Sequence, residues 1–238
     1  MSANKKGVDC SSAEDIVKQV KNIDGWLWNN EIQAIYHFAS LALKNIKPNE
    51  FLLEIGGWLG RSTITIGLAC LKNNKGCLYT IDPYDNLNSL ELKNMDKRTL
   101  KKAQATLYRN IYNFGLKQQI KHIKLTSRQA FKKHKHIHTR FIFIDGNHDY
   151  NEAFFDVYKW SETLVNKGYL LLHDTLNISG PRKVFYELLV NPNFAYIHSI
   201  GDVACFQKKS RLTLKDWTKK IYGYCIYKMF FKIYTPTT

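Results

Sequence analysis

The sequence predicts an α/β fold built on a doubly wound, mostly parallel seven-stranded sheet with an antiparallel terminal hairpin. Apolar strand-like segments alternate with segments whose apolar residues recur at helical spacing, which is typical of a parallel sheet covered by helices. Residues 51–62 (FLLEIGGWLGRS) and 78–82 (LYTID) form a strand, a glycine-containing turn, a helix and a second strand that ends in an acid. Two short apolar segments joined through Gly201 predict the hairpin.

Residues 1–22 form a polar N-terminal segment for which we expect weak order, and Asn29 or Asn30 is the expected cap of the N-terminal helix that follows. Further helices are predicted at 61–73, 96–114, 151–165 and from Gly180 to about Val190. Strands are predicted at 51–55, 77–82, 119–125, 140–145, 168–173, 194–199 and 203–208. These elements place one domain at 23–208, followed by a basic aromatic C-terminal helix or tail at 209–238.

The composition is that of an ordinary globular protein, with 45% hydrophobic and 23% charged residues among 238. No segment approaches eighteen uninterrupted apolar residues, so we expect no membrane span. The N-terminus has no apolar run that would predict a secretory signal. The five cysteines are odd in number and scattered, which favours reduced thiols in a cytoplasmic protein.

The net charge of +15 is the unusual bulk property. It leaves four explanations open, namely a nucleic acid, an anionic membrane, an acidic substrate or a lysine-rich proteome. Lysines are concentrated at 132–136 and after Lys208, away from the glycine-containing turn at residues 56–60 (the glycine turn).

The glycine turn indicates which type of cofactor fits. A dinucleotide fingerprint needs a glycine that lets the backbone approach a pyrophosphate, but Trp58 stands at that position. An adenosyl group without phosphates avoids this conflict, and Asp82 at the end of the next strand can accept hydrogen bonds from both ribose hydroxyls. The alternative is an ordinary strand–turn–helix with incidental glycines.

Acids stand at the carboxyl ends of the predicted strands, where ligands collect in a doubly wound sheet. They are Glu54, Asp82, Asp145 and Asp174, the last preceded by His173. The strand interiors next to them are almost wholly apolar.

These motifs, ExGxxxGxS, IDP, IDGxHxY and HD in this order, resemble the class I S-adenosylmethionine-dependent methyltransferases. More narrowly, the chain is similar to the branch that contains macrolide-sugar, rhamnosyl and antibiotic-tailoring O-methyltransferases and cephalosporin hydroxylase-like proteins. The resemblance extends back to IDGWLWNNE at 23–31 and forward to about Lys208.

The resemblance implies methyl transfer to a hydroxyl of a sugar or glycosylated small molecule, assisted by a divalent metal that lowers the pKa of the hydroxyl. It implies Asp145, His173 and Asp174 as metal ligands, with magnesium the favoured ion, and His148 as general base together with Asp145 as the catalytic residues. Magnesium favours Asp174 over His173, whereas manganese or iron would accept both. Alternatively, Asp145 is a helix cap and His148 a solvated loop residue.

The implied cofactor is S-adenosyl-L-methionine. Ser127, after the third strand, is the expected adenine contact, or it belongs to a cap of the helix at 129–131. The expected cofactor-binding residues are Glu54, Gly56, Gly57, Gly60, Ser62, Asp82, Ser127 and Asp145.

The C-terminal segment 211–234 mixes lysines with aromatic residues. It is either an interfacial helix that makes peripheral contact with an anionic membrane, or a helix packed on its own domain or on a neighbouring subunit. Gly223 would weaken a continuous helix. A homo-oligomer stays open.

Two other functions compete with methyl transfer to a small molecule. The charge of +15 motivates a nucleic-acid-binding protein or nucleic-acid methyltransferase, but no Asn-Pro-Pro-aromatic segment follows the fourth strand and no recognition domain is added. The other alternative is a non-catalytic adenosyl-binding protein that keeps the fold.

Overall fold

The computed structural model of the protein describes residues 13–84 and 97–234, so most of the predicted loop at 83–95 lies outside the described residues. The strands are β1 (Glu50–Ile55), β2 (Leu78–Ile81), β3 (Ile120–Ile123), β4 (His138–Ile144), β5 (Leu164–Leu172), β6 (Phe194–Ile200) and β7 (Val203–Lys208). The helices are α1 (Ala13–Val20), α2 (Asn29–Lys44), α3 (Arg61–Asn73), α4 (Lys97–Asn113), α5 (Ser127–His134), α6 (Tyr150–Thr163), α7 (Ser179–Val190) and α8 (Leu214–Tyr234).

The strands form one seven-stranded sheet in the order β3-β2-β1-β4-β5-β7-β6. β1 to β5 are parallel, and β7 pairs antiparallel with both β5 and β6. The predicted fold class is therefore confirmed. Because the chain moves outward from β1 to β3 and then returns to β4, the switch in strand order lies between β1 and β4, where such sheets bind ligands.

The core lies on both faces of the sheet because successive strand residues point to opposite sides. Leu52 and Phe143 pack with apolar side chains of α1 to α4, whereas Leu53 and Ile142 pack with side chains of α5, α6 and α7. This two-sided burial accounts for the nearly continuous apolar runs in the central strands.

The N-terminal part differs from the prediction in two ways. Residues 13–20 form helix α1, in which Ile16 and Val20 are fully buried against the core, so the expected weak order does not hold for this stretch. The cap of α2 is Trp28, not Asn29 or Asn30. Glu31 reaches back and accepts a hydrogen bond from the Trp28 N–H at 2.8 Å, which satisfies a donor at the helix start.

Helix α8 packs on its own domain, against β6 and α7. The helix continues through Gly223. A Cβ at this residue would lie 2.8 Å from the Tyr196 ring, so glycine lets α8 pack closely on β6. Of the helices in the described part of the chain, none has the length and apolar character needed to cross a membrane.

Candidate active site

A cavity of about 650 Å³ opens at the carboxyl ends of β1, β2 and β4, at the switch in strand order. The glycine turn after β1, Asp82 after β2 and Asp145 after β4 contribute to its wall. Residues 24–27, which precede α2, close another side of it. The N-terminal segment is therefore part of the site.

Two glycines are required by how the backbones meet. Gly56 has φ +90°, and a Cβ at this residue would lie 1.8 Å from the backbone oxygen of Asp145. Gly180, in α7, would bring a Cβ within 2.0 Å of the His148 backbone oxygen. Without side chains, these positions let β1 and α7 hold the 145–148 loop closely.

Trp58 forms part of the cavity wall within the glycine turn. Its φ is +42°, and its ring stacks on Trp26 with the centroids 5.7 Å apart. The Tyr84 hydroxyl donates a hydrogen bond to the Trp58 carbonyl oxygen. Trp58 therefore faces the N-terminal segment across the cavity, at the position where a dinucleotide fold would need glycine.

Asp82 holds the glycine turn in place. Its Oδ2 accepts hydrogen bonds from the backbone N–H groups of Gly57 at 3.1 Å and Trp58 at 2.9 Å, and its Oδ1 accepts from Tyr84 at 3.0 Å. Burial raises the pKa of Asp82, while these donors act to lower it. The carboxylate also borders the cavity, so it can brace the turn and still face a ligand.

Two of the expected cofactor-binding residues do not line this cavity. Glu54 is fully buried beneath the turn, where the Thr63 hydroxyl donates to its Oε2 at 2.6 Å, and burial raises its pKa to about 7. Gly60 is the left-handed residue that precedes α3. Both shape the turn from behind, whereas Ser62 reaches the cavity.

Ser127 lines the cavity, and its hydroxyl makes hydrogen bonds to two other side chains. It donates to Asp156 Oδ1 and accepts from the Trp160 indole N–H at 2.8 Å. Burial raises the pKa of Asp156 to about 7. The cap of α5 is Thr126, whose Oγ1 accepts from the Gln129 N–H at 3.3 Å, so Ser127 is not the capping residue.

Asp145, His148 and Asp174 form a cluster of potential metal ligands in the described part of the site. One potential ligand atom from each lies within 4.8 Å of the others. His148 Nε2 is 2.8 Å from Asp174 Oδ2. Two carboxylates and an imidazole at this spacing fit a divalent cation, for which oxygen and nitrogen are the usual donors.

His173 stands behind this group, and its expected role as a metal ligand stays a prediction. It is 5% exposed, its Nδ1 lies 3.1 Å from Asp145 Oδ1 and 3.2 Å from Asp174 Oδ2, and its Nε2 lies 3.5 Å from Glu31 Oε2. Because both ring nitrogens face carboxylates, His173 orients the two acids. β5 ends at Leu172 and Asp174 has φ +58°, so the two neighbouring side chains can reach the same site.

The charges of this group stabilise one another. Burial alone would lower the pKa of His173, but Asp145, Asp174 and Glu31 raise it above its ordinary value. Burial likewise acts to raise the pKa of Asp174, yet His148 and His173 bring it below its usual range. Asp174 therefore stays ionised, which is the form that binds a cation.

Sequence reasoning missed three residues that build the site. Glu31 contacts His173 and also accepts from the Asp202 N–H at 2.7 Å. The Arg61 guanidinium donates to the carbonyl oxygens of residues 21, 23, 25 and 27, which fixes the N-terminal segment against the turn. Asp156 lies among apolar residues of α6, and an acid on the apolar face of a predicted helix was the available signal.

Comparison with known proteins identifies the family. Residues 53–175, just over half of the chain, match a family model described as "Methyltransferase domain", and no curated protein matches the sequence. A protein from Klebsiella pneumoniae that is described as an O-methyltransferase has a similar structure, with TM-score 0.59 and 14% identity over 83% of this chain and 87% of that one.

Two further structures share the fold. One is the O-methyltransferase NovP, with TM-score 0.58 and 15% identity over 76% of this chain and 80% of that one. The other is an O-methyltransferase from Bacillus cereus in complex with SAH, with TM-score 0.58 and 14% identity over 83% of this chain and 90% of that one. The resemblance to class I S-adenosylmethionine-dependent methyltransferases is confirmed, and the chain belongs to the methyltransferase-domain family.

Proposed function

We propose that the protein is an S-adenosylmethionine-dependent O-methyltransferase that acts on a hydroxyl of a sugar or glycosylated small molecule with the help of a divalent cation. The observation that carries this proposal is the placement of Asp145, His148 and Asp174 in the same cavity as the glycine turn and Asp82. A methyl donor held by the turn and a hydroxyl held by the acids would meet in one space.

The cofactor half of the cavity suits an adenosyl group. Asp82 would receive the ribose hydroxyls while it holds the turn, and Gly57 and Ser62 lie beside it on the wall. Ser127, fixed by Asp156 and Trp160, would border the adenine. The Bacillus cereus structure with SAH supports this choice of cofactor.

In the acceptor half, Asp145 and Asp174 would hold the cation, and a His148 nitrogen lies within 4.8 Å of their ligand atoms. When bound, a divalent cation lowers the pKa of a hydroxyl that it contacts. We propose His148 as the base that takes the hydroxyl proton, because Asp174 orients its imidazole through the 2.8 Å contact. His173 and Glu31 keep the acids in position from behind.

The ligand chemistry also bears on the choice of ion. Magnesium prefers an all-oxygen set such as these two carboxylates, whereas manganese or iron would also accept an imidazole as a ligand. The sugar hydroxyl follows from the motif resemblance, and the fold shared with the O-methyltransferase NovP supports transfer to oxygen.

The test measures cation binding and methyl transfer separately. We expect Asp145→Asn and Asp174→Asn each to weaken Mn²⁺ binding in calorimetry by at least about tenfold, because these two carboxylates would supply most of the negative charge around the cation. SAH binding should change by less than about threefold. Asp149→Asn is the matched control, because it removes the same charge next to the cluster from a helix cap that asparagine can replace.

Turnover is then followed as SAH release with a panel of free sugars, glycosides and catechols, before and after chelation. We expect turnover with a sugar or glycoside, and its loss on chelation. Wild-type turnover after chelation would refute the role of the cation. SAH binding without transfer to any acceptor would favour the non-catalytic alternative, and transfer to RNA or DNA would replace the small-molecule acceptor.

A further inference from the structure

The exposed face of α8 carries a continuous set of apolar side chains. Leu214 is 82% exposed, Ile221 61% and Tyr222 67%, while Trp217 beside them is 39% exposed. Residues 214, 217, 221 and 225 are separated by three or four positions, so they share one side of the helix. Soluble monomers seldom expose a contiguous apolar patch unless it has a function.

The opposite side of α8 fixes this orientation. Asp216, Lys220 and Gly223 are buried against the domain. Lys220 donates to the Asn191 carbonyl oxygen, and Gly223 lies against the Tyr196 ring. The apolar residues therefore face outward because the other face of the helix is already packed.

The charge around this face is positive. α8 contains five lysines and one acid, Asp216, whose carboxylate is paired with Lys209 at 2.8 Å. Lys215 and Lys219 are exposed and lie one turn apart beside the apolar residues. A helix with apolar and aromatic side chains on its exposed face and lysines at the border suits the interface of an anionic bilayer.

We propose that the exposed face of α8 docks on the surface of an anionic lipid bilayer, with Trp217, Ile221 and Tyr222 entering the headgroup region. Protein–protein interfaces are depleted in lysine, and nucleic acid would engage the lysines without a use for the apolar side chains. Lys219 and Tyr222 also line a largely apolar groove of about 590 Å³ between α8 and β6, which continues the apolar surface beside the helix.

The experiment measures flotation of the full chain with phosphatidylcholine vesicles, with and without about one third phosphatidylglycerol. We expect binding only to the anionic vesicles. Lys215→Gln combined with Lys219→Gln should weaken partitioning roughly 25-fold, because each lysine near the surface contributes about fivefold. Tyr222→Ser should weaken it about tenfold through the lost apolar burial.

Helix α4 supplies matched controls, because it connects β2 to β3 at the opposite end of the sheet from β6. Lys101→Gln combined with Lys102→Gln removes the same charge, and Tyr112, 66% exposed, matches Tyr222 in Tyr112→Ser. These variants should stay within about twofold of the wild type.

Four results would overturn the proposal. Equal losses in the α4 variants would mean that net charge alone causes binding. Equal binding to neutral vesicles would remove the role of the lysines. Competition by random RNA at equal charge, or a dimer in sedimentation velocity that Tyr222→Ser dissociates, would assign the α8 face to a nucleic acid or to a second copy of the chain.

Discussion

Asp82→Ala tests whether one carboxylate both braces the glycine turn and receives the cofactor. Among the described residues, three backbone N–H groups donate to this carboxylate, those of Gly57, Trp58 and Tyr84. We therefore expect the variant to lose stability, although the sequence alone suggested that Asp82 only contacts a ligand.

The magnitude follows from these contacts. Hydrogen bonds to a charged acceptor contribute about 1.5–3 kcal/mol each, and the lower value applies here because cavity water can replace the carboxylate at the turn. Loss of three such bonds in Asp82→Ala should lower the free energy of unfolding by on the order of 4 kcal/mol. Loss of the ribose contact should weaken SAH binding by about 10- to 150-fold.

The assay combines urea denaturation of the free protein with calorimetry of SAH at a temperature where the variant is folded. Asp82→Asn keeps an oxygen acceptor for the turn, so it should lose less stability than Asp82→Ala. Asp24→Ala, which removes an exposed carboxylate from the rim of the same cavity, should change neither quantity appreciably. Wild-type stability and wild-type SAH affinity in Asp82→Ala would refute the reasoning, while a loss of stability alone would leave Asp82 as a brace.

Other sites give independent tests. His148→Ala should lower turnover by on the order of 10²–10⁴-fold with Mn²⁺ affinity nearly unchanged, and a parallel loss of affinity would make His148 a ligand. Gly56→Ala should cost more than about 4 kcal/mol of stability. Gly115→Ala is also at positive φ (+68°), but an added Cβ there would have no described residue within 4 Å beyond its chain neighbours, so it should cost about 1 kcal/mol. Because the pKa of Asp156 is raised to about 7, its contribution to stability should fall by on the order of 4 kcal/mol as pH rises from about 4 to about 7. Chemical denaturation across this range should show that Asp156→Asn removes this part of the pH dependence of the unfolding free energy. An unchanged pH dependence in the variant would contradict the prediction.

The order of strands and helices could be predicted because periodicity is local information. The predicted strand at 51–55 and helix at 61–73 agree with β1 and α3 to within one residue. β5 begins at Leu164, four residues before the predicted strand. The apolar pattern did not predict these first residues because they are not a continuous apolar run. Local patterns locate buried strand interiors better than strand ends.

The contacts that individual residues make were harder to predict, because their partners are distant in the sequence. Gly56 suggests a ligand contact by its position in a glycine turn, yet the group that excludes a side chain there is the backbone of Asp145. Ser127 similarly depends on Asp156, 29 positions away. The sequence shows which residues stand at strand ends and leaves open which of them contact one another.

The N-terminal segment shows how far such contacts extend the site beyond the sheet. Arg61, directly after the glycine turn, fixes residues 21–27 through four carbonyl oxygens, so the turn and the cavity wall are held as one unit. Glu31, fully buried at the start of α2, accepts from Asp202 in the β6–β7 turn and lies beside His173. Because His173 in turn contacts Asp145 and Asp174, one carboxylate connects the N-terminal helix, the terminal hairpin and the acids of the site. The motif at 23–31 is therefore tied to the cavity, whose wall it helps to form, and its exposed Trp26 stacks on Trp58 of the glycine turn.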